Sequence, residues 1–186
     1  MTHDQIRMTK ENRLCFVIRI WSFGFCFPSG YHMPMTIEVT ARGHHIALLR
    51  VGVAAIMPLR VAVLFAHHEQ QHASFPGDEH PLARHYAAYD VTSLDAAGRE
   101  KLPALVEAGV IGPIGCASLM PSDYEGQPAW QVRGVAVLQA YRCEGVGRML
   151  LDFAERDAAD RPEFKRLWCS AVAGAVGFYE KLGWRM

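Results

Sequence analysis

The sequence carries no surplus of charge, no paired-cysteine motif and no apolar run long enough to cross a bilayer. Lys plus Arg and Asp plus Glu each number 19 among 186 residues. That balance excludes a broad electrostatic pull toward nucleic acid or an anionic membrane, so neither partner is expected. The five cysteines, Cys15, Cys26, Cys116, Cys143 and Cys169, are odd in number and widely spaced, with no C-x-x-C among them. A disulfide framework and a thiolate zinc site are thereby disfavoured, and reduced thiols in a cytoplasmic protein are the expectation. The longest apolar stretch, Leu14 to Phe27, is interrupted by Arg19 and followed by no small-residue cleavage site. At fourteen residues it is also too short for a transmembrane helix.

What the sequence does contain suits one soluble domain: 51% hydrophobic and 20% charged residues over a length that supports a single core. Met33 and Met35 stand just before the first plausible strand, so residues 1–34 read as an extension outside the fold and 35–186 as the domain. Ile37 to Ala41 alternates as a strand. Met57 to Ala66 reads as a helix with Pro58 in its first turn, extending toward His72. Ser74 to Pro81 is a loop, Arg84 to Tyr89 a strand, and Leu102 to Ala108 a short helix. Strands follow at Val110 to Met120 and Ala129 to Leu138, separated by a turn-rich Pro121 to Pro128. Gly134 lies inside the second of these and suggests a bulge. Gly145 to Ala159 has the clearest helical period, with Val146, Met149, Leu150, Phe153, Ala154 and Asp157 on one face. A strand at Arg166 to Ala171 and a helix at Gly174 to Leu182, stopped by Gly183, complete the chain.

The richest chemistry lies between the Ala129 to Leu138 strand and the Gly145 helix. The linking segment is Arg142-Cys143-Glu144-Gly145-Val146-Gly147-Arg148. Its glycines let the backbone approach a ligand closely and point successive N–H groups into one space. Those donors sit at a helix N-terminus, where the macrodipole favours an anion such as a pyrophosphate. An ordinary glycine-rich connection has the same local pattern. No G-K-[ST] follows, which excludes a Walker A loop, and Leu150 occupies the last position of a would-be G-x-G-x-x-G.

Val135, Val137, Arg142, Gly145 and Gly147 fit V-x-V-x(4)-[QR]-x-x-G-x-[GA], the signature of the GNAT acetyltransferases. Gly174 to Trp184, containing Phe178-Tyr179 and Gly183-Trp184, resembles that family's N-x-x-A-x-x-F-Y-x-x-x-G-F element, without its Asn. The resemblance is strongest from Trp130 to Trp184. It implies a mixed α/β (α+β) fold, with a central, mostly antiparallel sheet flanked by helices. Family members usually end in a further hairpin, which the stop at Met186 leaves out. The strand at Arg166 to Ala171 would then keep an open edge or be covered by a partner chain, so a homodimer is expected.

The same resemblance implies an N-acetyltransferase that moves an acetyl group from acetyl-CoA directly to a small-molecule or peptide amine, with no metal. Val135, Ala136 and Val137 would run beside the pantetheine arm. Arg142, Cys143, Glu144, Gly145, Val146, Gly147 and Arg148 would cradle the pyrophosphate. Tyr179 aligns with the general acid, and a tyrosine keeps its proton at neutral pH. Periodicity alone also accommodates Tyr179 as a core aromatic beside Phe178. Gln131 and Arg133 share one face of their strand and point toward substrate. Asp123 and Glu125, and alternatively His85, are the general-base candidates.

Two other readings stay open at this level. His68-Glu69-Gln70-Gln71-His72 matches the H-E-x-x-H of zinc metallohydrolases, with His67, Asp78, His80 or His85 as a third ligand. The extended metzincin pattern fails at Phe75 and Asp78. The second alternative is an acetyl-CoA-binding module without turnover.

Overall fold

A computed structural model describes residues 5–11, 37–41, 43–66 and 73–186. One seven-stranded sheet, in the order β1-β7-β6-β5-β4-β3-β2, organises them. The strands are β1 (Gln5–Glu11), β2 (Ile37–Ala41), β3 (His44–Val51), β4 (Arg84–Asp90), β5 (Gly115–Tyr124), β6 (Gln127–Val137) and β7 (Arg166–Val172). All neighbours are antiparallel except β6 and β7. This is the mixed, mostly antiparallel sheet that the resemblance implied. Among the described residues no helix is long and apolar enough to cross a membrane.

Each face of the sheet is covered by a helix of different character. Helix α4 (Val146–Ala158) is amphipathic and buries Val146, Leu150, Leu151, Phe153, Ala154 and Ala158. These pack with Tyr86, Leu119, Trp130, Val132 and Leu167 in the larger core. Asp157, the polar residue on this apolar face, is not an error of patterning. It accepts from the Tyr86 hydroxyl at 2.6 Å and pairs with Arg84, which also bonds Asp160 and lies over the Trp130 ring. Helix α1 (Val53–Leu64) covers the other face through Ile56 and Leu59, against Ala47, Leu49, Ala87, Tyr89 and Ala136.

Several boundaries differ from the sequence reading. Helix α1 begins at Val53, so Pro58 sits inside it rather than in its first turn. Strand β3 had no assignment. Its central Ile46, Ala47, Leu48 and Leu49 are all buried, as a strand covered on both faces requires, and this erases the period-2 alternation. The segment before Leu102 holds a second short helix, α2 (Ala96–Glu100), whose cap Asp95 accepts from the Gly98 N–H, followed by α3 (Leu102–Glu107). Strand β5 starts later than Val110 and runs through Tyr124 into a two-residue turn, Glu125-Gly126, where both residues have positive φ. That is the geometry of a tight hairpin, in place of a turn-rich loop.

The larger correction concerns residues 1–34. Gln5–Glu11 are part of the sheet: β1 pairs along the whole outer edge of β7, from Gln5↔Val172 to Glu11↔Arg166. Met8 is fully buried in the larger core, and Lys10 reaches Glu155 of α4 at 2.8 Å. Thr9 also exchanges backbone bonds with Arg185, on the far side of β1 from β7. The open β7 edge that motivated a partner chain is therefore occupied from within. The alternation Ile6-Arg7-Met8-Thr9-Lys10 carries the signal, in a stretch overshadowed by the apolar run after it.

If β1 is integral, Met8→Ala should lower stability by about 2–5 kcal/mol, the usual range for truncating a buried methionine. Urea unfolding would measure it, and an unchanged midpoint would return residues 5–11 to the status of an appendage.

Candidate active site

Strand β6 is bent by the bulge that Gly134 suggested. Cys116 pairs with Ala136 and Ser118 with Arg133, so Gly134 and Val135 together oppose the single residue Ala117. Gly134 has φ +59, and a Cβ there would lie 2.9 Å from Phe75 and 3.0 Å from Arg60 Nε. Only glycine fits both the dihedral and the space. The extra residue resets the alternation: Arg133 and Gly134 both face α1, after which Val135 and Val137 return to the α4 side. Ala136 is buried in the α1-side core, so it can offer a ligand only backbone.

The parallel pairing of β6 with β7 stops at Gln131↔Trp168. Beyond it the β6 edge from Arg133 to Val137 leaves β7, and a gap opens between the two strands. Past the end of β6 the chain passes through a 3-10 turn, Gln139–Tyr141, into the bend and α4. Cys143 (φ +64) and Gly145 (φ +88) are both left-handed, and Gly145 caps the helix. The cap provides no side-chain bond, the first turn holds no acid, and a Cβ on Gly145 would meet nothing within 4 Å. The bend is therefore open beside Gly145 and places a helix start there, an arrangement that suits an anion.

Burial of Val146 against β5 anchors the bend from below. Arg142 and Arg148 are exposed at its rim. Arg142 Nε donates to the Val137 carbonyl at 3.2 Å, and Arg148 meets Asp152 at 3.4 Å. Tyr141 and His44 tie the turn to β4 through Asp90, at 3.0 and 2.8 Å. Those bonds, with two from Thr92, outweigh the burial that opposes them and hold the Asp90 carboxyl down at about 2.

Helix α5 (Val176–Lys181) packs against the first turn of α4. Phe178 approaches Gly147 so closely that a Cβ there would be 3.3 Å from its ring. Tyr179 is buried between Phe178 and Trp184, and its hydroxyl pairs with the Cys169 thiol, one residue past the last β6–β7 pair. Burial, reinforced by Cys169, pushes the Tyr179 hydroxyl far above its ordinary value, and burial lifts Cys169 to about 12. Both groups are protonated at neutral pH.

The general-base candidates are all engaged elsewhere. Asp123 belongs to β5, and its carboxylate accepts from the Gly126 N–H at 2.8 Å, closing the hairpin turn. Glu125 is exposed in that turn and pairs with Arg166 at 3.1 Å. His85 is buried in a network that sequence reasoning missed. Arg60, fully buried, holds Asp78 through two bonds of 2.7 and 3.0 Å and donates to Ser118 Oγ at 2.7 Å. The Asp78 carbonyl can only accept, so His85 Nε2–H donates to it at 2.9 Å, and Nδ1 of the neutral ring accepts from the Ser118 hydroxyl at 2.8 Å. An arginine on the apolar helix α1 and an aspartate in a polar loop gave no sequence signal that they would meet. Gln131 and Arg133 do share one face as expected, Arg133 lying 4.8 Å over Phe75 and donating to the Pro76 carbonyl at 3.2 Å.

The H-E-x-x-H run, with His67, lies outside the described residues. Of its suggested third ligands, Asp78 and His85 belong to the buried network, and His80 accepts from the Leu82 N–H. Among the described residues no three His, Cys, Asp or Glu side chains gather as metal ligands.

Comparison with known proteins matches residues 65–184 to the model of the acetyltransferase (GNAT) family. The chain belongs to the GNAT acetyltransferase family. A curated N-acetyltransferase of Bacillus subtilis, YitI, is 37% identical over 57 residues, covering 31% of this chain and 38% of its own. The chain thus matches well under half of that relative's length. Among solved structures, Escherichia coli ElaA superposes with a TM-score of 0.53 at 18% identity, over 75% of this chain and 85% of its own. A GCN5-related N-acetyltransferase of Kribbella flavida gives 0.51 at 16% identity, over 96% and 52%. At those identities the structures support the fold of this GNAT chain.

The buried network makes stability depend on pH. Burial is the main cause that holds His85 below the ordinary histidine value, with the nearby Arg60 and Arg50 adding to it. Its neutral form is therefore favoured by folding. That contribution is complete above the unfolded pKa of ~6.5 and is lost as pH falls through that value toward the lower folded one. The urea midpoint of the wild type should fall between pH 7 and pH 5 more steeply than that of His85→Gln. Parallel slopes would refute the assignment of a neutral His85.

Proposed function

We propose that this chain is an N-acetyltransferase that moves an acetyl group from acetyl-CoA directly to an amine acceptor. The observation that carries the reading is the conjunction of the strand gap with the anion-ready bend past the end of β6. A long thioester whose tail bears a diphosphate suits that shape, and the open space at Gly145 fits the diphosphate. The donor would supply the activated acyl carbonyl.

In this reading Arg142 to Arg148 bind the diphosphate, chiefly through backbone N–H groups, with Arg142 and Arg148 adding charge at the rim. The unpaired edge of Val135, Ala136 and Val137 orients the pantetheine arm by strand-like bonding. The bulge at Gly134 turns backbone toward the gap where negative charge develops on the carbonyl oxygen, the role of an oxyanion site. Tyr179 holds its proton beside the last paired residues and delivers it to the leaving thiolate. Phe178 and Trp184 exclude water around that hydroxyl. Gln131 and Arg133 face the acceptor. A cytoplasmic setting accords with the free thiols of Cys116, Cys143 and Cys169.

Calorimetry with acetyl-CoA tests the site. Gly145→Glu, which puts a side chain and a negative charge in the bend, should reduce binding below detection, and wild-type affinity in that variant would misplace the site. Tyr179→Phe should lower kcat by roughly 10²-fold or more with little change in acetyl-CoA affinity, by analogy with other positioned acids. Thiol release with a panel of amines distinguishes this enzyme from a binding module, and an unchanged kcat would remove Tyr179 from the chemistry.

A further inference from the structure

Among the described residues, the α1 face of β6 holds a cation, Arg133, that no carboxylate contacts directly. Arg60 and Asp78 cancel each other in their bidentate pair, and His85 is neutral, so the cluster's remaining charge is that of Arg133. Among the described residues no carboxylate pairs with Arg133. Its contacts are the Phe75 ring at 4.8 Å and the Pro76 carbonyl at 3.2 Å. These fix the plane of the guanidinium and use one of its donors, leaving the rest of the fork open. Burial also opposes its charge and, with Arg60, outweighs the favourable field of Asp78, pulling its pKa below the ordinary arginine value. An immobilised, partly desolvated and unpaired guanidinium is poorly explained by stability alone, because it forgoes both hydration and an ion pair.

Its position relates it to the reacting centre. Arg133 immediately precedes the Gly134 bulge and stands two residues beyond Gln131, where β6 parts from β7. Trp168, in register with Gln131 on the same face, has its indole N–H buried without a partner among the described residues. Arg7 of β1 lies over that indole at 5.7 Å. The supports of Arg133 are themselves rigid: Phe75 is clasped between Arg133 and Arg60, and its N–H donates to Asp78 at 2.7 Å.

We propose that the acceptor is a small amine that also bears a carboxylate, and that Arg133 binds this carboxylate so as to place the amine at the bulge; this rests on the acetyl-transfer reading above. A guanidinium fork matches a carboxylate bidentately. A single fixed fork suits one negative charge better than the two of a phosphate.

The test uses the purified full chain with acetyl-CoA, following thiol release with amino acids, their carboxamides and aminoethyl phosphate, each rate corrected to its neutral-amine fraction. The carboxylate member of each pair should exceed its carboxamide by about tenfold or more in kcat/KM, as expected when a charged partner is lost from a built site. Arg133→Gln should bring that ratio to about one while acetyl-CoA affinity, read by calorimetry, holds. Arg133→Lys should keep part of the ratio, retaining charge without the fork. Equal rates for the paired amines in the wild type, a preference that survives in Arg133→Gln, or a preference for the phosphate amine would each overturn the proposal. Acetyl-CoA binding with no turnover of any carboxylate-bearing amine would overturn it alone. Failure of the wild type to bind acetyl-CoA would instead remove the reading beneath it.

Discussion

Two residues of β6, Gly134 and Val135, stand opposite one residue of β5, and much of the molecule follows from that mismatch. A bulge bends its strand and raises the local twist. Here it falls just past the last hydrogen-bonded pair of β6 and β7, so the bend and the parting of the strands occupy the same stretch. It also exchanges the faces of everything after it. Were the same residues in strict alternation instead, Val135 and Val137 would point toward α1, and Ala136 would point into the larger core against α4. With it, two adjacent positions, Arg133 and Gly134, are delivered to the α1 side.

The α1 side is prepared to receive them. Arg60 is fully buried on a helix that is otherwise apolar, and its charge is met by Asp78 from the 73–83 loop. A buried pair of this kind contributes little net stability relative to apolar packing, but removal of either member is severe, at about 3–5 kcal/mol. Its value lies in position. Asp78 also accepts from Ser74 and from the Phe75 N–H, so an irregular loop is held against the sheet with Phe75 between two guanidinium groups. The absent Cβ of Gly134 is what admits that ring. Loop, helix and bulge are thus one assembly, and it fixes the place of Arg133.

Much of this was legible in the residues, though unevenly. The period of Gly145 to Ala159 and the glycines of the bend identified α4 and its N-terminus, because helical periodicity and positive-φ positions are local properties. Gly134 announced the bulge for the same reason. What could not be read depended on distant partners. The pairing of Arg60 with Asp78 and Ser118 joins three elements whose local sequences are unremarkable. Asp123 and Glu125 looked like free loop acids because their turn was taken for a loop, whereas the hairpin commits both. His85 looked like a base until its two ring nitrogens were accounted for. Strand β1 was hidden because seven residues of alternation carry little weight until β7 supplies an edge.

That last pairing bears on how the chain reaches this state. β1 precedes every other strand of the sheet in the chain and β7 follows them all, so the contacts between them have the largest sequence separation of any strand pair in the sheet. Loop closure of that span must precede any gain from it, which places the closing of the sheet late in folding. Until then both β1 and the outer edge of β7 are unpaired strands. The interval between synthesis and closure is therefore when this protein is most exposed to association with other chains, and a chaperone that shields the early strand would act there.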